Sequence, residues 1–229
     1  LVNAGSFGTT AIPSINKPAE MDQNGPEQLG SEGTSWASAN IMAATFNTEL
    51  LYRRGVAMGN EALYNGYHGW YGPAANINRT PFGGRNHIYN SEDSLLAGKV
   101  AAALVSGAQS RGVIAYIKHF ALNEQETERH GVATWLTEQA LRENYLKAFE
   151  YAIKDGGALG IMQSLNKIGG VNGFGNYALD VSLLRGEWGY RGALVTDAYN
   201  ASLVRENMAQ RMGGDIPLGN WRVAGDWDS

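Results

Sequence analysis

One carboxylate in this sequence lies where an α/β protein would carry out its chemistry. The short apolar run Ala193–Val195 follows Gly192 and ends at Thr196 and Asp197. Such a run is typical of a strand that is buried on both faces, as in a parallel sheet covered by helices. Active sites in these sheets lie beyond the carboxyl ends of the strands, so Asp197 is a candidate catalytic residue. The alternative is that Asp197 caps a helix, because an amphipathic stretch begins at residue 201.

A lysine and a histidine lie together at the end of another predicted strand. Lys118 and His119 follow an apolar stretch, and their donors could reach vicinal hydroxyls or a carboxylate. The structural alternative is a salt bridge to Glu124 or Glu126, which composition alone favours. Arg85 lies in a long polar loop, where its planar guanidinium could bind hydroxyls or carboxylates. An internal clamp between this arginine and an acidic residue is equally plausible.

The sequence lacks the signatures of several other kinds of site. Its four histidines do not have metal-ligand spacing, and without cysteine it can form neither thiolate metal sites nor disulfides. The phosphate-binding and dinucleotide-binding glycine patterns are missing, as is the Gly-x-Ser-x-Gly elbow of serine hydrolases. We therefore predict neither a metal nor a cofactor.

Strands and helices alternate along the chain and would position these residues. Apolar periodicity predicts helices over 36–58, with Gly59 as its stop, over 94–111 and over 137–154, and a helical turn over 182–188. Strands are predicted over 113–118, 158–162 and 193–197, and another ends near residue 71. This alternation predicts parallel β/α units, either closed into a barrel or doubly wound. Residues after 215 have little pattern, so we expect an irregular tail over 216–229 and a fold that is incomplete within this chain.

Composition narrows the class of partner. Hydrophobic residues make up 44% of the 229 residues and charged residues 17%, which predicts a globular core. A net charge of −4 without blocks of like charge makes nucleic acid and anionic membranes poor partners. No apolar run approaches the ~20 residues of a membrane span. The 30 glycines and 6 tryptophans suit tight loops and an aromatic-lined sugar site. No feature assigns a compartment.

Five segments carry recognisable motifs in a fixed order. They are NINRTP, GRN and SED within 76–93, KHFALNEQETER at 118–129, LRENYLKAF at 141–149, MQSLN at 162–166 and LRGEWGYRGALVTD at 184–197. Together they resemble the motifs of glycoside hydrolase family 3, in its β-glucosidase and β-xylosidase branch. The resemblance covers most of the chain.

The resemblance implies a fold and a reaction. It implies a (β/α)8 TIM-like barrel domain over 1–215, here partial, and retaining, exo-acting hydrolysis of a terminal β-linked glucose or similar sugar. The substrate would be a β-linked oligosaccharide or glycoside, and no cofactor is implied. The acid/base would come from a C-terminal α/β sandwich domain, absent from this chain, or from a partner chain.

The same resemblance assigns roles to individual residues. Asp197 occupies the position of the nucleophile, which cationic neighbours would keep ionised. Residues implied to bind the sugar are Arg85, Lys118 and His119, which would bond its hydroxyls, and Met162, which would line the subsite. Asn24 occupies the place of an aspartate that binds the non-reducing end, and Asp22 is near enough in sequence to replace that aspartate.

Three positions depart from the family pattern. Ala198 replaces a tryptophan after the nucleophile, Leu165 replaces a tyrosine, and Ile88 replaces a glutamate. The first two changes remove a stacking face and a nucleophile contact. An alternative function is therefore a catalytically weakened or inactive relative that acts as a carbohydrate-binding or scaffold protein.

Overall fold

The strands of the structure are short and follow one another around a single large sheet. The computed structural model describes residues 4–5, 7–198, 212–216 and 218–219. In chain order the strands are β1 (Ala4–Gly5), β2 (Gly8–Thr9), β3 (Glu20–Asn24), β4 (Gly69–Tyr71), β5 (Ile114–Phe120), β6 (Ala133–Thr134), β7 (Gly160–Gln163), β8 (Lys167–Ile168), β9 (Val171–Asn172), β10 (Ala193–Val195) and β11 (Leu218–Gly219). Three of them, β6, β8 and β9, form a separate small sheet.

The large sheet curls into a barrel. Its order is β10-β7-β5-β4-β3-β2-β1-β11, and every pair from β3 to β10 is parallel, whereas β2 is antiparallel to both neighbours. Ile216 forms a parallel bridge to Val195 of β10, and β11 pairs with β1 on its other side. Ile216 and β11 therefore lie between the two ends of the order, with Ile216 beside β10 and β11 beside β1. The predicted α/β barrel is confirmed.

The end of the barrel differs from the sequence pattern. We expected residues 216–229 to form an irregular tail and the fold to be incomplete. Of these residues, Ile216, Leu218 and Gly219 take part in the sheet, while 220–229 lie outside the described residues. Strand β11 has only two residues, which is too short for an alternating pattern to reveal. The domain boundary at 215 stays a prediction.

Helices follow the parallel strands and cover the outside of the barrel. They are α1 (Ala39–Ala43), α2 (Thr48–Tyr64), α3 (Ser94–Gln109), α4 (Glu138–Ala140), a π-helical turn (Leu141–Tyr145), α5 (Lys147–Lys154) and a π-helix (Ala178–Glu187). The side chain of the N-cap residue accepts a hydrogen bond from the first turn in several of these helices. Asp93 Oδ1 accepts a 2.6 Å hydrogen bond from Leu96 N at the start of α3, as an N-cap does.

The helix predicted over 36–58 is two helices with different limits. Phe46 has a φ of 52°, which interrupts the helix, and Asn47 then caps α2. Helix α2 continues past Gly59, which the sequence pattern identified as its end. A Cβ at Gly59 would lie 2.8 Å from the carbonyl oxygen of Ala108. This glycine therefore permits close contact between α2 and α3 and does not terminate the helix.

The contact between α2 and α3 depends most strongly on Gly107. A Cβ on this residue would lie 2.2 Å from the carbonyl oxygen of Tyr52. We expect Gly107→Ala to force the two helices apart and to lower the free energy of unfolding by about 1–3 kcal/mol. Urea denaturation would measure the loss. The control is Gly170→Ala at an exposed turn, where nothing lies within 4 Å of the added Cβ. Equal effects of the two substitutions would contradict the packing argument.

A carboxyl group is buried beneath β7. Gln163 Nε2 donates a 2.7 Å hydrogen bond to Asp180 Oδ2, and both residues are fully buried. Burial raises the pKa of Asp180 to about 8 from its ordinary value of 3.8. The folded state thus retains a proton that the unfolded state loses, so this group's contribution to stability falls as the pH rises from about 4 to about 8.

Asp180→Asn removes this dependence, because the amide stays neutral and its oxygen can still accept from Gln163. We expect the variant to gain stability relative to the parent between pH 5 and pH 8. Urea denaturation of both proteins at the two pH values would measure the difference. A difference that does not change with pH would show that Asp180 is not protonated in the folded protein.

Candidate active site

Polar residues from β3, β5 and β10 meet at the carboxyl end of the barrel, beside a cavity of about 610 Å³. Asn24 ends β3, Lys118 lies near the end of β5, and Asp197 follows β10. The cavity is lined by Asn24, Gly25, Pro26, Glu27, Gln28, Gly84, Arg85, His87, Ile88, Lys118 and Glu126. The structure thus brings Asn24, Arg85 and Lys118 together, although they are far apart in the sequence.

Asp197 is nearly buried, with 9% of its surface exposed. Its Oδ2 accepts a hydrogen bond from Arg129 Nη2, and its Oδ1 accepts a 2.8 Å bond from the backbone N–H of Ala198. The arginine compensates the charge that the carboxylate retains away from solvent. The alternative role of Asp197 as a helix cap concerns residues 199–211, which lie outside the described part of the chain.

Arg129 is the main residue that the sequence analysis missed. Its Nε donates a 2.8 Å hydrogen bond to Asn123 Oδ1 and lies 3.6 Å from Glu126 Oε1. Its side chain is only 12% exposed. The guanidinium is therefore fixed by its own loop before it reaches Asp197. Its place at the end of the 118–129 motif was the available signal, but the sequence does not show which carboxylate it meets.

Lys118 is buried and is not paired with a glutamate. Its Nζ donates to Asn24 Oδ1, and among the described residues neither Glu124 nor Glu126 contacts it. The predicted structural salt bridge is therefore not formed. Burial lowers the pKa of Lys118 to about 7, and the nearby charge of Asp197 acts in the opposite direction.

His119 is held through its backbone. Asn76 accepts from the His119 N–H at 2.7 Å and donates to its carbonyl oxygen at 3.0 Å. The imidazole Nε2 lies 3.1 Å from Arg85 Nη1. Burial, together with nearby cations of which Lys118 is the strongest, lowers the pKa of His119 well below its ordinary value of 6.5, so the ring is neutral. Nε2 then accepts from Arg85, and Nδ1 is left without a partner among the described residues.

Arg85 combines the two roles that its sequence position left open. Its Nε forms a 2.7 Å ion pair with Glu126 Oε1, and its guanidinium also lines the cavity. Glu126 lies between Arg85 and Arg129, and Arg129 binds Asp197. Charges of alternating sign therefore run from the cavity wall to the candidate nucleophile.

Asp22 and Met162 lie deeper in the barrel. Asp22 Oδ2 accepts a 3.1 Å hydrogen bond from the Tyr71 hydroxyl, and burial raises the pKa of this carboxyl. Met162 packs inside the barrel with Tyr71, Tyr116 and other apolar side chains. Neither residue is part of the cavity lining described above. Asp22 lies two residues before Asn24 on β3 and is therefore further from the end of the barrel. As a result Lys118 contacts Asn24 and not Asp22.

The three departures from the family pattern lie in different surroundings. Ile88 lines the cavity and packs against Ala74 and Tyr89. Leu165 is buried, whereas Ala198 is exposed beside the candidate nucleophile. The apolar side chain of Ile88 therefore changes the cavity wall directly.

Within the described residues, no group of three or more histidine, cysteine, aspartate or glutamate side chains is placed to hold a metal ion. Across the same residues, none of the helices combines the length and the apolar character needed to cross a membrane.

Curated relatives of this chain are β-glucosidases. The chain is 37% identical to beta-glucosidase A of Butyrivibrio fibrisolvens over 223 residues, which cover 94% of the chain and 26% of that relative. It is also 37% identical to the probable beta-glucosidase K of Aspergillus fumigatus, covering 95% of the chain and 29% of the relative. The chain thus spans between a quarter and a third of the length of these relatives.

Solved structures agree in fold. The GH3 beta-glucosidase of Bifidobacterium adolescentis matches with a TM-score of 0.89 and 33% identity, over 95% of this chain and 32% of that one. Beta-glucosidase 3B of Thermotoga neapolitana, in complex with α-D-glucose, matches with a TM-score of 0.85 and 36% identity, over 94% and 32% of the two chains. The sequence profile of the glycosyl hydrolase family 3 N terminal domain matches residues 12–213. The chain therefore belongs to glycosyl hydrolase family 3.

Proposed function

We propose that the protein containing this chain is a retaining, exo-acting β-glycosidase and that Asp197 is its nucleophile. The observation that carries the proposal is the pairing of Asp197 with Arg129 at the carboxyl end of β10, within electrostatic range of Lys118 in the cavity wall. An ionised carboxylate with a fixed orientation is what nucleophilic attack on an anomeric carbon requires. The names of the relatives support a β-glucoside as substrate.

The proposed reaction has two displacement steps. In the first, an Asp197 oxygen bonds to the anomeric carbon while the bond to the leaving oxygen breaks, and that oxygen takes a proton from a carboxylic acid. In the second, the same group, now a carboxylate, takes a proton from water as the water displaces Asp197. The two carboxyl groups of a retaining enzyme stand about 5–5.5 Å apart. We propose that the acid/base belongs to a part of the protein beyond this chain, because the relatives are three to four times longer.

The sugar would occupy the cavity beside this carboxylate. Lys118 and Arg85 supply donors to its hydroxyl groups, Asn24 supplies an amide, and His119 orients the guanidinium of Arg85. Because the arginine and the histidine are already bound to each other, their geometry is set before a sugar arrives. Preorganised donors of this kind favour transition-state binding. We assign Met162 to the barrel interior that supports the site.

A protein that binds sugar without turnover is the second candidate. It is favoured by Ile88, which places an apolar side chain in the cavity wall, and by Ala198 beside the nucleophile. Both candidates predict sugar binding, so only the formation of a covalent intermediate separates them.

Trapping of that intermediate is the decisive test. We expect incubation of the longest natural form of the protein with a 2-deoxy-2-fluoro-β-glycosyl fluoride to add one sugar mass to the peptide that contains Asp197. The fluorine slows the second step, since it destabilises the oxocarbenium-like transition state. Intact-protein and peptide mass spectrometry would detect the adduct. Asp197→Asn should form no adduct and should keep its melting temperature within a few degrees.

The outcome of this experiment distinguishes the two candidate functions. An adduct on another residue would show that Asp197 is not the nucleophile. A folded protein that binds sugar but gives no adduct with gluco, xylo or galacto reagents would support the binding protein instead of the enzyme.

Arg129 provides an independent test, because it fixes the nucleophile. We expect Arg129→Gln to lower kcat/KM by about 100-fold, since the variant loses one charge-assisted hydrogen bond to the reacting carboxylate. Arg129→Lys should lower kcat/KM less, because lysine retains the positive charge although it lacks the planar, two-pronged guanidinium of arginine. The control is Arg53→Gln, which breaks an exposed ion pair with Glu49 on α2. Steady-state kinetics on an aryl β-glucoside would measure all three, and a fully active Arg129→Gln would refute the positioning role.

A further inference from the structure

An arginine lies in the apolar stripe of helix α2. The side chains that α2 buries recur every three or four positions and include Leu51, Met58 and Ala62, as expected for the inward face of an amphipathic helix. Arg54 falls on the same face and is only 2% exposed, although arginine is seldom buried in this way. An apolar residue would fill such a position without the burial of a charge, so packing of the core alone does not account for Arg54.

The guanidinium of Arg54 reaches the loop that follows β3. Its Nη2 donates a 2.7 Å hydrogen bond to the carbonyl oxygen of Pro26, and its Cζ lies 5.7 Å from the ring centroid of Trp36. Burial lowers the pKa of Arg54 to about 10, and the charge of Glu27 acts in the opposite direction. The arginine is therefore still charged at neutral pH, and it directs a charge-assisted hydrogen bond at the backbone of this loop.

Segment 25–28 of the loop forms one wall of the cavity. Its backbone is held by residues that lie outside the cavity lining, because three successive carbonyl oxygens each accept a hydrogen bond from a different part of the chain. These bonds run from Trp70 Nε1 to Gly25 at 2.9 Å, from Arg54 Nη2 to Pro26 at 2.7 Å and from the Trp36 N–H to Glu27 at 3.0 Å. Of the three donors, the guanidinium of Arg54 is the charged one and belongs to an outer helix.

The loop turns so tightly that its residues must move together. Gly25 has a φ of 129°, and a Cβ on it would lie 1.6 Å from the carbonyl oxygen of Gln28. A displaced Pro26 would therefore also displace Glu27 and Gln28, which line the cavity. A wall that samples other positions offers the binding form for only part of the time, and the apparent dissociation constant rises by the inverse of that fraction.

We propose that Arg54 is a positioning residue for sugar binding, which fixes segment 25–28 as a cavity wall from the outer layer of the barrel. This inference rests on the proposed function, because it takes the cavity as the sugar site. Asp197 is held separately, by Arg129 and by the pairing of β10, whereas Arg54 binds the loop after β3. Loss of Arg54 therefore weakens sugar binding and leaves the chemical steps of the bound sugar unchanged.

Arg54→Met tests this role in the longest natural form of the protein, since methionine fills the apolar stripe but cannot donate to Pro26. We expect the dissociation constant of D-glucose, measured by calorimetry, to rise about 10-fold, as for a wall in place about a tenth of the time. KM for 4-nitrophenyl β-D-glucoside should rise by the same factor, while kcat should change by less than about 2-fold. Arg54→Lys keeps the charge and a donor, so it should raise both constants by only about 3-fold.

The control is Arg53→Met, which makes the same substitution at the neighbouring, exposed arginine of α2 and should change neither constant. Circular dichroism and the calorimetric stoichiometry would show that folded proteins are compared, and Arg54→Lys takes the place of Arg54→Met if the latter does not fold.

Two results would overturn the positioning role while the proposed glycosidase stands. They are an unchanged dissociation constant for D-glucose in the folded Arg54 variant, and a fall in kcat without a rise in KM. A weaker affinity for D-glucose in this variant, in a protein that traps no glycosyl-enzyme, would refute the glycosidase and retain the role of Arg54.

Discussion

The candidate site depends on one constraint, which is that a carboxylate almost shielded from water must be compensated. Asp197 is compensated by Arg129, and the same arginine lies near Glu126, which in turn pairs with Arg85. Neighbours along this series have opposite charge, so no member is left alone in a medium of low dielectric constant. The series also links three loops, those that follow β4, β5 and β10. Their relative positions are therefore fixed by electrostatics as well as by packing.

Amide side chains hold the backbone that carries these charges. The chain is irregular after β4 and near the end of β5, where the register shifts, so some of its buried N–H and C=O groups lack ladder partners. Asn76 binds both backbone groups of His119, and Asn90 Nδ2 donates to the carbonyl of Ala74 at 3.1 Å. Tyr89 and Asn123 complete the set, because the tyrosine hydroxyl donates to the Asn123 carbonyl at 2.6 Å. The asparagines of the sequence motifs thus satisfy buried backbone groups and position neighbouring side chains.

Sequence patterns predicted the elements but not their long-range contacts. The buried strands and the polar residues at their ends were recognisable because apolar runs and their limits are local features. The Arg129–Asp197 contact joins residues 68 positions apart, and no spacing rule selects Asp197 among the acidic residues. Gly59 was interpreted as a helix end, since sequence does not distinguish a glycine that stops a helix from one that admits a neighbouring helix. The two residues of β11 were too few to show a period.

Pairing on both sides of β10 explains how the backbone before the candidate nucleophile is fixed. Strand β10 pairs with β7 on one side, where Val195 lies opposite Met162. On the other side Thr196 donates from its N–H to the Ile216 carbonyl at 3.1 Å, and its hydroxyl accepts from Leu218 N at 2.8 Å. A strand with partners on both sides has little freedom to shift its register or to fray. Because the main chain just before Asp197 is held in this way, only its side-chain rotamer remains to be selected, and Arg129 selects it.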